Sequence, residues 1–183
     1  MTMRTIDLVG LLDEAQGFRI ARAIKISVGR SIDVRIDSPG GKFGAAIAIA
    51  LEIEEHDAPV FTTVVGQANS AAGLVAMAGD LRRIDRNGVM LIHHPSPRGS
   101  SASADVAGAI GEYSGRPLSV VRSWMDGERT FDAHEAMSAG LIDRIINTAS
   151  PEPVRLRQPT KRPPTRWLRS WREFYEQHDA RCA

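Results

Sequence analysis

At 183 residues, with 43% hydrophobic and 25% charged residues, the chain has the size and balance of one globular domain with a real core. A formal net charge of +1 gives no overall field to draw it to nucleic acid or a membrane surface, and no apolar run approaches the roughly 20 residues that span a bilayer. Cys182 is the one cysteine and has no internal disulfide partner, and Met1–Gly10 carries only a brief apolar patch, so a soluble cytoplasmic protein is the expectation.

In chain order, Thr5–Gly10 alternates apolar and polar residues before a glycine and predicts a first strand. Phe18–Val28 has near-helical apolar spacing. Ile32–Ile36 alternates cleanly and runs into Ser38-Pro39-Gly40-Gly41, a strand ending in a tight turn. Phe43–Ile53 is an unbroken Ala/Ile run and predicts a buried helix. Val60–Val65, β-branched between Pro59 and Gly66, predicts a central strand, and Ala71–Ala78 a buried helix of small residues. Val89–Ile92 predicts a short strand. Ala104–Tyr113, Leu118–Met125 and Ala133–Ala139 predict helices, with Leu141–Ile146 as a last strand. Strands alternating with helices imply an α/β layered domain with a mainly parallel sheet.

From Ser150 the composition changes. Pro151, Pro153, Pro159, Pro163 and Pro164 sit among Arg155, Arg157, Lys161 and Arg162, which predicts an extended basic linker. The boundary is placed near Ala149, giving a body of 1–149 and a tail of 150–183 that ends in a short amphipathic helix. Its stripe of Trp167, Trp171 and Phe174 would dock on the protein's own body or on a neighbouring subunit. The tail has no aromatic-basic platform organised on a sheet, so no nucleic-acid partner is expected, and neither is a membrane.

Two glycine-marked turns each follow a predicted strand and precede a predicted helix, where an open parallel sheet presents its ligand-binding edge. Gly40 and Gly41 in the first let bare N–H groups approach a ligand. The second, Gly66-Gln67-Ala68-Asn69-Ser70-Ala71-Ala72-Gly73, sets Ser70 at a helix start, where unpaired N–H groups favour developing negative charge. Serine is also a preferred helix cap, so Ser70 alone decides nothing. His93, in Leu91-Ile92-His93-His94-Pro95, ends another predicted strand, and an imidazole can take the proton that a weak serine nucleophile must lose. Successive strand residues face opposite sides, so at most one of His93 and His94 can face Ser70. The five histidines, His56, His93, His94, His134 and His178, show no diagnostic metal-ligand spacing, and no metal or other cofactor is expected.

Asp37-Ser38-Pro39-Gly40-Gly41, Gly66-Gln67-Ala68-Asn69-Ser70, Leu91-Ile92-His93-His94-Pro95, and Glu135-Ala136 with Gly140-Leu141-Ile142-Asp143 resemble, in order, the signature blocks of the Clp protease proteolytic subunit. Similar blocks occur in phage head-maturation proteases. The resemblance covers roughly Thr5–Ile146. It implies a crotonase-like Clp protease fold of layered parallel sheets with flanking helices. It further implies a serine endopeptidase with Ser70 as nucleophile, His93 rather than His94 as base, and the backbone amides of Gly41 and Ala71 as the oxyanion hole, Gly40 shaping the substrate-binding turn. Peptide or protein substrates, a homo-oligomer and an ATP-dependent unfoldase partner follow from the same resemblance.

The chain departs from the family in two places. The simplest ungapped match puts Trp124 where the family has its third catalytic residue, an Asp; Asp126 is the nearest acid and Glu128 the second. Between His93 and Gly115 the chain looks about four helical turns shorter than the usual member. This is the "handle" that joins two rings, and Ser96–Ser103 reads as a loop, which argues against a double-ring particle. Two other functions stay open: a non-catalytic or weakly active assembly subunit of the same fold, and an acyl-CoA-binding crotonase-like enzyme.

Overall fold

The architecture comes from a computed structural model describing residues 3–95, 101–149, 160–163 and 165–179, with the side chains of 101–102 and 174–179 outside the description. Its elements are β1 (Arg4–Val9), α1 (Glu14–Lys25), β2 (Ile32–Ser38), α2 (Phe43–Glu55), β3 (Val60–Asn69), α3 (Ala71–Met77), β4 (Leu81–Asp85), β5 (Val89–Ile92), α4 (Ser101–Ser114), α5 (Leu118–Asp126), β6 (Arg129–Phe131), α6 (Ala133–Ser138), β7 (Arg144–Ile146) and α7 (Arg166–Asp179). Strands β1, β2, β3, β4 and β7 lie side by side and parallel, while β5 pairs parallel with β3 and antiparallel with β6. The expected α/β domain with a mainly parallel sheet is what forms.

Period-two alternation places Ile32, Val34 and Ile36 of β2 on the core face, each fully buried. The Ala/Ile run of α2 is apolar on several sides because it is packed against α1 and α3 as well as α7. Strand β3 is the spine. Its first half, Phe61–Val64, pairs with β4, and its last three residues, Gln67–Asn69, pair with β5. That change of neighbour carries the end of β3 alongside β5, so the residues that follow the two strands, Ser70 and His93, emerge at one edge.

Several boundaries differ from the expectation for identifiable reasons. Helix α1 begins four residues before Phe18 because Asp13 caps it, its carboxylate accepting from the Gln16 N–H at 2.7 Å. Ser101–Ser103 belong to α4 rather than to a loop; Ser96–Ser100 lie outside the described residues. Leu141–Asp143 are not strand. Leu141 and Ile142 are buried, and Asp143 turns inward to receive the side chain of Arg82.

Strand β4 has no sequence signal of its own, because Arg82 and Arg83 are inside it. Both are buried and both are satisfied. Arg82 donates to the two oxygens of Asp143 at 2.6 and 3.0 Å and to the carbonyls of Tyr113 and Gly140 at 2.9 Å. Arg83 pairs with Asp33 at 2.8 Å and donates to the Thr63 hydroxyl. Burial alone would raise the pKa of Asp143. The hydrogen bonds and charge of Arg82, with Arg162 behind them, outweigh burial and hold it below the ordinary 3.8.

Arg82→Ala is therefore expected to cost about 3 kcal/mol of unfolding free energy at neutral pH, since it leaves the Tyr113 and Gly140 carbonyls without this donor and Asp143 with Arg162 as its remaining charged partner. A carboxylate with a depressed folded-state pKa stabilises fully above its unfolded value and loses that stabilisation as pH falls through its folded value. The gap between wild type and Arg82→Ala in urea unfolding should accordingly narrow below about pH 4. A gap that is small at pH 7, or constant with pH, would contradict this account.

Residues 150–159, where the linker is expected, lie outside the description, and the tail residues described after them rest on the body. Trp167 and Leu168 are buried in the same hydrophobic core as the sheet and helices α2 and α4, and Trp171 packs against that core. The stripe thus docks on the chain's own body through Trp167 and Trp171; the Phe174 side chain lies outside the description. Among the described residues, no helix is long and apolar enough to cross a membrane.

Candidate active site

Ser70 joins β3 to α3 in a conformation that serine rarely adopts, φ 54° and ψ −125°. Such a residue costs about 1–3 kcal/mol and persists where its surroundings over-determine it. Two contacts do so here. The Ser70 N–H donates to the Leu91 carbonyl of β5 at 2.8 Å, and its own carbonyl accepts from the Gly73 N–H at 3.0 Å. Ser70 occupies the cap position of α3, yet its hydroxyl makes no capping hydrogen bond, and an ordinary cap has extended backbone. The strand, sharp turn and helix leave Ala71 as first helical residue, whose N–H has no partner within the helix.

Gly40 and Gly41 lie directly against this turn. Both have positive φ, 94° and 149°. A Cβ on Gly40 would lie 2.5 Å from the Asn69 carbonyl and 2.8 Å from Ser70 Cβ, and one on Gly41 would collide with the Leu12 carbonyl. Leu12 fastens one side of the segment. Leu12 forms a parallel bridge to Gly41, in which the Leu12 N–H donates to the Gly40 carbonyl at 2.9 Å and the Lys42 N–H donates to the Leu12 carbonyl at 2.7 Å. In that ladder the N–H and C=O of Gly41 itself point away from Leu12. The Ser38 hydroxyl, donating to the Gly10 carbonyl at 2.6 Å and accepting from the Gly40 N–H at 3.1 Å, pins the turn. In the sequence Ser38 is legible only as part of the turn, and Leu12 not at all. A serine two residues before a glycine turn is a recognisable turn signal, whereas nothing local marks Leu12.

A cleft of about 450 Å³ opens here, and Ser70, Gly40, Gly41, Ala71 and His93 all line it. Its remaining walls are mostly apolar: Leu74 and Met77 from α3, Ile92 from β5, Phe43 at the start of α2, and Val106 and Ile110 from α4. The two histidines part ways, as adjacent strand-end residues must. His93 borders the cleft. His94 lies 2.9 Å through Nε2 from Oδ1 of Asp126, the last residue of α5, whose side chain is 71% exposed. The Nδ1 atom of His94 is buried and makes no hydrogen bond among the described residues. The structure thus brings together Ser70, His93, Gly40, Gly41 and Ala71, and joins Asp126 to the neighbouring histidine. Glu128 follows in a tight turn with φ 47°. Trp124 is core, 7% exposed and edge-on to Phe131 at 5.2 Å between ring centres. No group of three or more His, Cys, Asp or Glu side chains able to hold a metal is found among the described residues.

A family model described as Clp protease matches residues 23–149. The ATP-dependent Clp protease proteolytic subunit 2 of Streptomyces coelicolor is 32% identical over 136 residues, covering 65% of this chain and 62% of that one. The proteolytic subunit 2 of Frankia casuarinae is 31% identical over 135 residues, with shares of 65% and 62%. That of Chlamydia pneumoniae is 33% identical over 138 residues, with shares of 66% and 67%. The chain thus spans about three-fifths of the length of the first two relatives, and the family match ends before the tail helix α7.

Proposed function

The chain belongs to the Clp protease family, and we propose that it is a serine endopeptidase working through an acyl-enzyme on Ser70. The observation that carries this reading is the strained, uncapped Ser70 sharing one cleft with His93 and with the glycine turn packed on it. In the proposed cycle His93 takes the Ser70 hydroxyl proton as Oγ bonds to the scissile carbonyl carbon. The carbonyl electrons move to oxygen, which the N–H groups of Gly41 and Ala71 receive. His93 then gives its proton to the departing amine as the C–N bond breaks, and water, deprotonated by His93 in turn, releases the acyl group. Gly40 shapes the turn, and the outward N–H and C=O of Gly41 are suited to pairing with an extended peptide without reading its side chains.

Asp126, with Glu128 second, is the proposed acid. Its contact with His94 fastens the strand end that presents His93, so the carboxylate supports the base at least through its neighbour. The same contact favours a second reading, an assembly subunit of the same fold with weak or no turnover, because it engages the ring of His94 and not that of the proposed base. The relatives are named as subunits of ATP-dependent proteases. In keeping with those names we assign this chain protein substrates, association with other subunits and an ATP-dependent partner; the unfoldase and the cytoplasmic location expected from the sequence are proposed with them.

A fluorophosphonate probe separates the two readings. The peptidase reading expects covalent labelling at Ser70, located by peptide mass spectrometry, and no labelling of Ser70→Ala. Labelling confined to another serine, or an assembled and folded protein that stays unlabelled, would remove the peptidase reading and leave the assembly subunit.

A further inference from the structure

The tail packs behind the wall of the cleft. Four carboxylates from four different parts of the body hold the segment that leads into α7. Asp80 accepts from Lys161 Nζ at 3.2 Å and from the Arg162 N–H at 2.7 Å. Asp143, already bonded to Arg82, also accepts through both oxygens from the Arg162 guanidinium at 2.8 and 2.9 Å. Glu54 accepts from the Thr165 N–H at 2.9 Å, and Glu112 from the Arg166 N–H at 2.8 Å. So fastened, α7 lays Trp167 and Trp171 against Phe43, with ring centres 6.3 and 6.0 Å away, and against each other at 6.2 Å. Phe43 is also a wall of the cleft and stands two residues after Gly41, while α4, which supplies the Val106 and Ile110 walls, packs on α7 as well.

Resting on the peptidase reading of the cleft, we propose that Trp167 and Trp171 are positioning residues. They hold Phe43 and α4 in place and thereby set how well the cleft accepts an apolar chain beside Ser70. Neither touches the reacting atoms. The effect falls on recognition of the apolar part of a substrate and leaves proton transfer and oxyanion binding alone, because His93, Ala71 and Gly41 are held by β5, α3 and Leu12. Both residues lie beyond the family match, so this wall support is a property of this chain's own tail. The Trp167 indole N–H is buried without a hydrogen-bond partner among the described residues. The ring, not the polar atom, is therefore what Trp167 contributes, and phenylalanine should replace it.

The test uses the full chain and two alkyl fluorophosphonates, one ethyl and one decyl, with second-order labelling rates at Ser70. In wild type the decyl reagent is expected to react faster. Trp171→Ala should slow it about fivefold to tenfold while leaving the ethyl rate within about twofold, and Trp167→Phe should behave as wild type. Equal losses for both reagents, or an unchanged ratio in a folded Trp171→Ala, would overturn the proposal. A second readout is independent of the nucleophile. In a Ser70→Ala background, the fluorescent fatty acid 11-(dansylamino)undecanoic acid should bind about fivefold more weakly when either Phe43→Ala or Trp171→Ala is added. Absent binding, or binding that Trp171→Ala does not weaken, would overturn the wall assignment. Lack of Ser70 labelling in wild type with intact binding of this acid would instead remove the peptidase reading and leave the wall in place.

Discussion

His93→Ala should slow acylation of Ser70 by about a thousandfold, within the range expected when a positioned general base is lost. His94→Ala should slow it by no more than about tenfold, as a positioning residue would. The two differ by one residue, yet the register of β5 against β3 separates them. Leu91 pairs with Asn69 and its carbonyl receives the Ser70 N–H, so the next residues of the two strands run out together, and His93 is the one that borders the cleft. His94 turns to α5 and meets Asp126. Labelling kinetics with one fluorophosphonate across the wild type, His93→Ala, His94→Ala and Asp126→Asn would read this directly. If Asp126 acts only through His94, Asp126→Asn and His94→Ala should have similar effects, and the double variant should add little to either. A His94→Ala loss as large as that of His93→Ala would reverse the assignment, making His94 and Asp126 a base and its orienting acid.

How far the sequence disclosed this arrangement depended on whether the deciding interactions were local. Strands β2, β3 and β5 announce themselves because their apolar residues follow the period of the structure they form. Strand β4 does not, since Arg82 and Arg83 read as solvent-facing until their partners are known. Those partners, Asp143 and Asp33, lie before β7 and on β2 and are brought close only by the finished sheet. The three-residue β6 carries too short a pattern to read and exists because Met90–Ile92 offers it an edge. At the site, the glycine turn, Ser70 and the opposed faces of the histidine pair follow from chain order and strand geometry. The contact between Asp126 and His94 does not, because it depends on where the end of α5 comes to rest. The tail shows the same divide. Its aromatic spacing predicts docking, but which surface receives Trp167 and Trp171 is settled by Phe43 and by acidic side chains remote in sequence.

Gly40→Ala should damage both the site and the fold, lowering acylation of Ser70 by about 10²- to 10³-fold and unfolding free energy by about 1–3 kcal/mol. At φ 94° the backbone of Gly40 is one that L-residues rarely adopt, and a Cβ there would meet the Asn69 carbonyl at 2.5 Å and Ser70 Cβ at 2.8 Å. Neither obstacle is the far end of a flexible side chain, so relief requires the turn to move. The turn is pinned by Ser38 and Leu12, and moving it displaces the Gly41 N–H from the place where a negative oxygen would develop. Gly29→Ala provides the control. Gly29 also has positive φ, 71°, but open space where a Cβ would stand, and it lies between α1 and β2, away from the cleft. That variant should lose about 1 kcal/mol of stability through backbone strain alone and keep its labelling rate. Denaturant unfolding and probe kinetics on the two variants separate strain from site damage. Equal labelling rates in Gly40→Ala and Gly29→Ala would mean that the glycine turn does not serve the oxyanion, and the proposed chemistry at Ser70 would lose its electrostatic support.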